Sequence, residues 1–331
     1  MQSNFWNELK KPFFILAPME DVTDIVFRHV IAKAAAPDIY FTEFTNSASY
    51  THSEGKESLR GRLFKSDDEQ PIVAHIWGDQ VHDFETISHG VKEMGYAGID
   101  INMGCPAPNV FKHGRGAGLI LRPEVAADLI KAAKVSGLPV SVKTRLAHAN
   151  LSDYKAWLTH LLKQDLANLS IHLRTKVEMS KADAHYELIG DILKLRDEIA
   201  PNTLITINGD INTRAEGMAL VEQYGVDGIM TGRGVFKDPF AFDHNHYNRT
   251  PIEMLNLLKH HIDLYDHYTS IEPSLSKPLH RFFKIYIKEF KGAADLRNQL
   301  MQTKNTKDIR DILNAFEASE HYQALKEEYA D

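Results

Sequence analysis

The chain has a single cysteine, Cys105, so no disulfide can form within it and nothing staples the fold covalently. It carries neither a paired-cysteine spacing nor a His-Glu-x-x-His motif, which leaves no metal signature. No apolar stretch is long enough to span a membrane, and no segment is of low complexity. The first eleven residues are polar around Phe5 and Trp6 and lack the basic start and apolar centre of a secretory signal, so a cytoplasmic protein is expected. Basic charge is not in excess either. A formal net charge of −7 argues against a general coat of cations for nucleic acid and leaves that question to local patches. What remains is an ordinary globular composition, 43% hydrophobic and 25% charged, in 331 residues that can bury about three quarters of their unfolded surface.

Short β-branched runs alternate with longer amphipathic ones. Eight strands are expected, at 13–17, 39–43, 72–76, 98–102, 140–144, 168–172, 203–208 and 228–231. Helical patterns lie between them, at 24–35, 81–94, 123–136, 153–164, 183–199 and 212–224. Pro123 suits a first helical position and Gly137 a left-handed terminus. Eight strand-helix rounds in about 240 residues predict an α/β fold, a closed (β/α)8 TIM barrel rather than an open doubly wound sheet. After residue 242 the strands stop. Helical spacing at 251–268 and from 277 onward predicts a C-terminal helical domain, dividing the chain into 1–243 and 244–331.

In such a barrel the chemistry gathers at the carboxyl ends of the strands. Those ends carry Pro18, Met19 and Glu20, then Glu43, His75, Asn102 followed by Cys105, Lys143 and Arg145, His172 and Arg174, Asn208-Gly209-Asp210, and Gly232-Arg233-Gly234. A free cysteine is by default a small buried hydrophobe, but Cys105 sits on a strand-to-helix loop within Asn102-Met103-Gly104-Cys105-Pro106. The glycines of the last two loops, with Arg233, supply the close backbone approach and the charge that a phosphate needs. Each is an ordinary turn on its own; together they suggest a phosphorylated cofactor, and FMN fits. Lys143 then stands near the flavin ring or pairs a carboxylate such as Glu43, and His172 is a ligand contact or a satisfied core histidine.

These residues resemble the tRNA-dihydrouridine synthase family. The likeness rests on Ala17-Pro18-Met19-Glu20-Asp21-Val22-Thr23-Asp24, the Cys105 motif, Gly114-Arg115-Gly116-Ala117-Gly118-Leu119, Lys143, His172 with Arg174, Asn208-Gly209-Asp210 and Gly232-Arg233-Gly234, in the family's order. The resemblance implies FMN-dependent reduction of a tRNA uridine to 5,6-dihydrouridine, with NADPH reloading the flavin. It implies Cys105 as the acid that protonates C5, and Asn102 and Arg174 facing the substrate. Pro18, Met19, Glu20, His75, Lys143 and His172 would line the flavin, and Asn208, Gly209, Asp210, Gly232 and Arg233 would hold its phosphate end. Lys112, His113 and Arg115 would lower the thiol pKa if turned inward, so the 114–118 loop is expected to be mobile and to close over substrate.

Two positions depart from the family pattern. His75 stands where glutamine is usual, which changes the donor and acceptor geometry offered to the flavin's pyrimidine edge. Leu146-Ala147-His148 replaces the usual glycine and tryptophan after Arg145. In the tail, Lys277, Arg281, Lys284, Lys288 and Lys291 recur at intervals of four, three, four and three, one stripe on a helix. Residues 277–310 hold nine Lys or Arg against three Asp or Glu, a local excess suited to RNA phosphates, although a solvated lysine face has the same pattern. The competing readings are an FMN barrel that reduces a free pyrimidine or enone, as a dihydroorotate dehydrogenase does, and a non-catalytic RNA-binding relative.

Overall fold

The computed structural model describes residues 4–245 and 247–329; residues 1–3 and 330–331, the outer ends of the two expected domains, lie outside it. Nine strands form one parallel sheet: β1 Phe13–Leu16, β2 Tyr40–Phe41, β3 Thr45–Asn46, β4 Ile72–Trp77, β5 Gly98–Met103, β6 Val140–Arg145, β7 Asn168–His172, β8 Leu204–Asn208 and β9 Gly228–Thr231. The order is β1-β9-β8-β7-β6-β5-β4-β2, with β3 also on β4, and a bridge between Ile15 and Ile39 brings β1 back to β2. The sheet therefore closes into the expected eight-membered barrel. The expected second strand, 39–43, is interrupted after Phe41 and resumes at Thr45. At the break the Thr42 hydroxyl accepts from His75 N–H, so a side chain replaces the next rung of the ladder.

Each βα unit packs as its periodicity demands. Strand residues of one parity, such as Ile99, Ile101, Val140, Val142, Leu169, Ile171, Ile205 and Ile207, join the large core shared with the surrounding helices. The other parity points into the barrel. There the lumen has two flanks. Phe13, Ile15, Ile39, Phe41, Val73 and Met230 make one apolar flank, capped at the amino end by Trp6. Across from it β5 to β8 place Asp100, Ser141, Asn168, Ser170 and Thr206, joined by hydrogen bonds such as Thr206 Oγ1 to Asn168 Oδ1 at 2.7 Å. These buried polar groups face inward because serine, asparagine and threonine occupy alternate positions of otherwise β-branched strands.

The helix Ile25–Ala35 is capped by Asp24, whose carboxylate accepts from Phe27 N–H at 2.9 Å. Its wholly buried Arg28 grips Glu69 through two hydrogen bonds, at 2.5 and 3.0 Å. On it packs Pro251–Ile271, which a capping box of Thr250 and Glu253 opens. Phe27 of the barrel stacks on Phe282 of the tail at 5.1 Å, and both belong to the same core.

The tail differs from expectation. The stripe 277–291 is not one helix: Leu279–Phe282 is a 3-10 turn, Phe283–Tyr286 a single α-turn, and left-handed Glu289 (φ 63°) and Gly292 (φ 88°) end the regularity. Phe282, Phe283, Ile285, Tyr286 and Ile287 are all buried. The stripe cations stay exposed or half-buried between these buried residues, although the backbone beneath them is broken.

Candidate active site

At the carboxyl end of the barrel lies a cavity of about 400 Å³ between the β1, β8 and β9 loops, lined by Pro18, Met19, Lys143, His172, Asn208 and Gly209 among others, and by Gly232 and Arg233. The glycines are needed there. Gly209 has φ 129° and a side chain on it would press on His172 and Ala184, whereas a Cβ on Gly234 would strike the Asn212 backbone at 2.7 Å.

The charged groups around this cavity are the cations Lys143, Arg233 and Lys237 and one acid, Asp210. Lys143, on β6, donates to Asn208 Oδ1 at 3.3 Å, and burial beside Arg145 lowers its ammonium pKa to about 8. It does not pair with Glu43. That carboxylate is held by Lys277 at 2.8 Å, the tail residue expected to contact RNA, which also reaches Asp21 at 3.0 Å. His172 Nε2 lies 3.0 Å from Arg174 Nη1; because guanidinium only donates, the neutral ring carries its proton on Nδ1. Burial and four surrounding cations keep the imidazole well below its usual pKa, and so neutral. Arg174 is buried behind the ring, bonded to Ala182 O at 2.6 Å and to the Asp210 carboxylate. It braces His172. Asp210 also meets Arg233 at 3.3 Å, so this acid orients the two arginines of the expected phosphate end.

Cys105 follows β5. Asn102 turns its amide oxygen back onto the loop, accepting from Gly104 N–H at 3.1 Å and Cys105 N–H at 2.9 Å. Asn102 thereby shapes the cysteine turn; its oxygen is spent before any substrate arrives. Burial raises the thiol pKa, and the cations that oppose this are Lys143 and Arg145. The thiol keeps its proton. Lys112, His113 and Arg115 play no part: Arg115 pairs with Asp79 at 2.8 Å, away from the sulfur. In this structure the 114–118 loop lies against the cysteine turn. Ala117 N–H donates to Cys105 O at 3.0 Å, and Gly116 (φ 56°) has no room for a Cβ, which would come 2.8 Å from that oxygen. Phe111 of the same loop stacks on His148 at 5.2 Å with Lys176 above its other face at 4.1 Å.

Glu20 points away from the cavity to Arg62 at 2.8 Å. Of the tail cations, Arg281, Lys284 and Lys288 line a second cleft of about 650 Å³ with Lys237 of the barrel, over a floor of Val22, Phe236, Phe282 and Ile285. Sequence reasoning passed over Lys237 and Asp100, and named Arg145 at a strand end without giving it a role. The one signal for Asp100 was a charged residue at an inward strand position. Among the described residues no cluster of His, Cys, Asp and Glu is arranged to hold a metal, and no helix is long and apolar enough to cross a membrane.

The family model for dihydrouridine synthase matches residues 15–325. The chain belongs to the dihydrouridine synthase family. It is 61% identical over 317 residues to a probable tRNA-dihydrouridine synthase 2 of Bacillus subtilis, covering 96% of this chain and 98% of that one. It is 58% identical over 318 residues to a probable tRNA-dihydrouridine synthase of Staphylococcus epidermidis, with the same two shares. Among solved structures, a 2-naphthoyl-CoA reductase in complex with 2-naphthoyl-CoA superimposes with a TM-score of 0.52 at 10% identity, over 69% of this chain and 48% of that one. That likeness is one of fold. The family assignment makes the chain an enzyme on a TIM-barrel fold.

Proposed function

We propose that this enzyme reduces a uridine of tRNA to 5,6-dihydrouridine, using FMN as its resident flavin and NADPH as the source of electrons. Support for the cofactor is the cavity itself. A glycine cradle at β8 and β9 admits a phosphate beside Arg233, and Lys143 and the Nδ1–H of His172 offer donors to the carbonyl-rich ring. Pro18 and Met19 supply apolar contact. When bound, FMN supplies the hydride that saturates C6 of the uracil.

The rest of the chemistry falls to this chain. Negative charge that develops toward the C4 carbonyl of the pyrimidine must be quenched by a proton at C5. Cys105 supplies that proton, and the observation that carries the assignment is its place: a half-buried thiol on the turn that ends β5, its N–H held by Asn102 at 2.9 Å, with burial favouring the protonated form. Asn102 fixes the turn from which the thiol points, and Gly116 lets the 114–118 loop close on its carbonyl. Arg281, Lys284, Lys288 and Lys237 give the substrate's phosphates a basic cleft beside the mouth, and the target base must leave its stack to reach the barrel. A tRNA substrate places the enzyme in the cytoplasm.

The test is Cys105→Ala. The variant should hold FMN and bind tRNA as the parent does, and form dihydrouridine about a hundredfold or more slowly. Unchanged turnover removes the acid role. Turnover on free uracil equal to that on tRNA supports a small-pyrimidine reductase instead, and protein without bound flavin supports a non-catalytic RNA binder.

A further inference from the structure

The lumen holds a histidine whose ring is only half partnered. His75 is wholly buried on the inward face of β4, with its ring 4.9 Å from that of Phe44. Its Nδ1 lies 2.6 Å from Asp100 Oδ2, and the other oxygen of that carboxylate accepts from Ser141 Oγ, also at 2.6 Å. The three stand on neighbouring strands in register, His75 beside Asp100 and Asp100 beside Ser141. As a carboxylate Asp100 only accepts, from Ser141 on one oxygen and from His75 on the other, so the shared proton sits on Nδ1. Burial lowers the imidazole pKa; the Asp100 carboxylate opposes this and Lys143 adds to it, and the balance favours the neutral ring. Nε2 is then a bare lone pair, and it has no hydrogen-bond partner among the described residues. A buried acceptor left without a donor is costly, which marks it as reserved for a ligand.

We propose that Asp100 and Ser141 are positioning residues that lock His75 as an obligate acceptor, and that its Nε2 receives the N3–H of the isoalloxazine. N3 carries the one N–H of an oxidised flavin ring, so this contact fixes which edge of the ring enters the lumen. A glutamine at position 75 presents an acceptor oxygen without help, whereas a histidine does so only if something holds its proton on the far nitrogen. The inference rests on the FMN reading above.

The experiment titrates flavin-stripped protein with FMN and with N3-methyl-FMN, following the quenching of flavin fluorescence. The parent should bind the methylated analogue at least about tenfold more weakly. His75→Gln should keep that preference, and His75→Leu should bind both flavins alike. Asp100→Ala should lose most of the preference. Nitrogen-15 NMR of histidine-labelled parent should find Nε2 unprotonated, with its resonance moving when FMN binds and not when the N3-methyl analogue does. Equal binding of both flavins by the parent, a preference that survives in His75→Leu, or a protonated Nε2 overturns the proposal while leaving the FMN assignment standing. Failure to bind either flavin overturns the FMN assignment, and this inference with it.

Discussion

At Lys143, burial and a neighbouring guanidinium already press the ammonium toward neutrality, and the cavity places it where an anionic ligand would press the other way. With a pKa of about 8, the lysine is partly neutral in mildly alkaline solution. An anion favours the charged form and raises that pKa, so FMN binding near pH 8 should take up a fraction of a proton. Calorimetric heats in buffers of different ionisation enthalpy measure it directly. Affinity should fall as pH rises above 8, and Lys143→Met should abolish both the uptake and the pH dependence. Residue types at the mouth were legible in the sequence because strand ends expose them in order. Their partners were not, since His75 and Asp100, or Glu43 and Lys277, meet only after the barrel has closed.

Among elements, the helix Ile25–Ala35 shows how one buried pair fixes a whole segment. Arg28 is wholly buried, and its guanidinium ties Glu69 to the carbonyls of Thr23 and Phe64. Glu69→Gln leaves that charge with a weaker partner in low dielectric and should cost about 3–5 kcal/mol, read as a lower urea midpoint with unchanged slope. The barrel strands could be read from alternation because one parity is apolar almost without exception. The 277–291 segment misled because its lysine spacing is helical while its backbone is not: a 3-10 turn, a single α-turn and left-handed Glu289 break it into short pieces. Position 183–188 shows the milder form of the same effect, since the helix begins only at Ile189 after a turn in which Tyr186 reaches back to Gly209 O at 2.5 Å.

In the whole molecule, barrel and tail share one core and a charged seam. Lys277 reaches across to Glu43, a carboxylate 1% exposed. Lys277→Met strands that charge with only the distant Arg62, 3.9 Å away, and should lower stability by about 2–3 kcal/mol. Differential scanning calorimetry should show one shifted transition, because a common core leaves neither part a boundary at which to melt alone. Reversing charge in the second cleft, Lys284→Glu with Lys237→Glu, should weaken tRNA binding and flatten its salt dependence while sparing NADPH oxidation. Unaltered affinity in a filter-binding titration would return those lysines to simple solvation.

The two-sided lumen sets unequal rules for change over evolutionary time. Its dry side, from Phe13 to Met230, can drift by volume-conserving exchanges one residue at a time. On the wet side each side chain completes the valence of another, so a single replacement orphans its neighbour and mutations there must arrive in compensating sets. Deep mutational scanning should therefore find tolerance and epistasis on opposite walls of the same barrel.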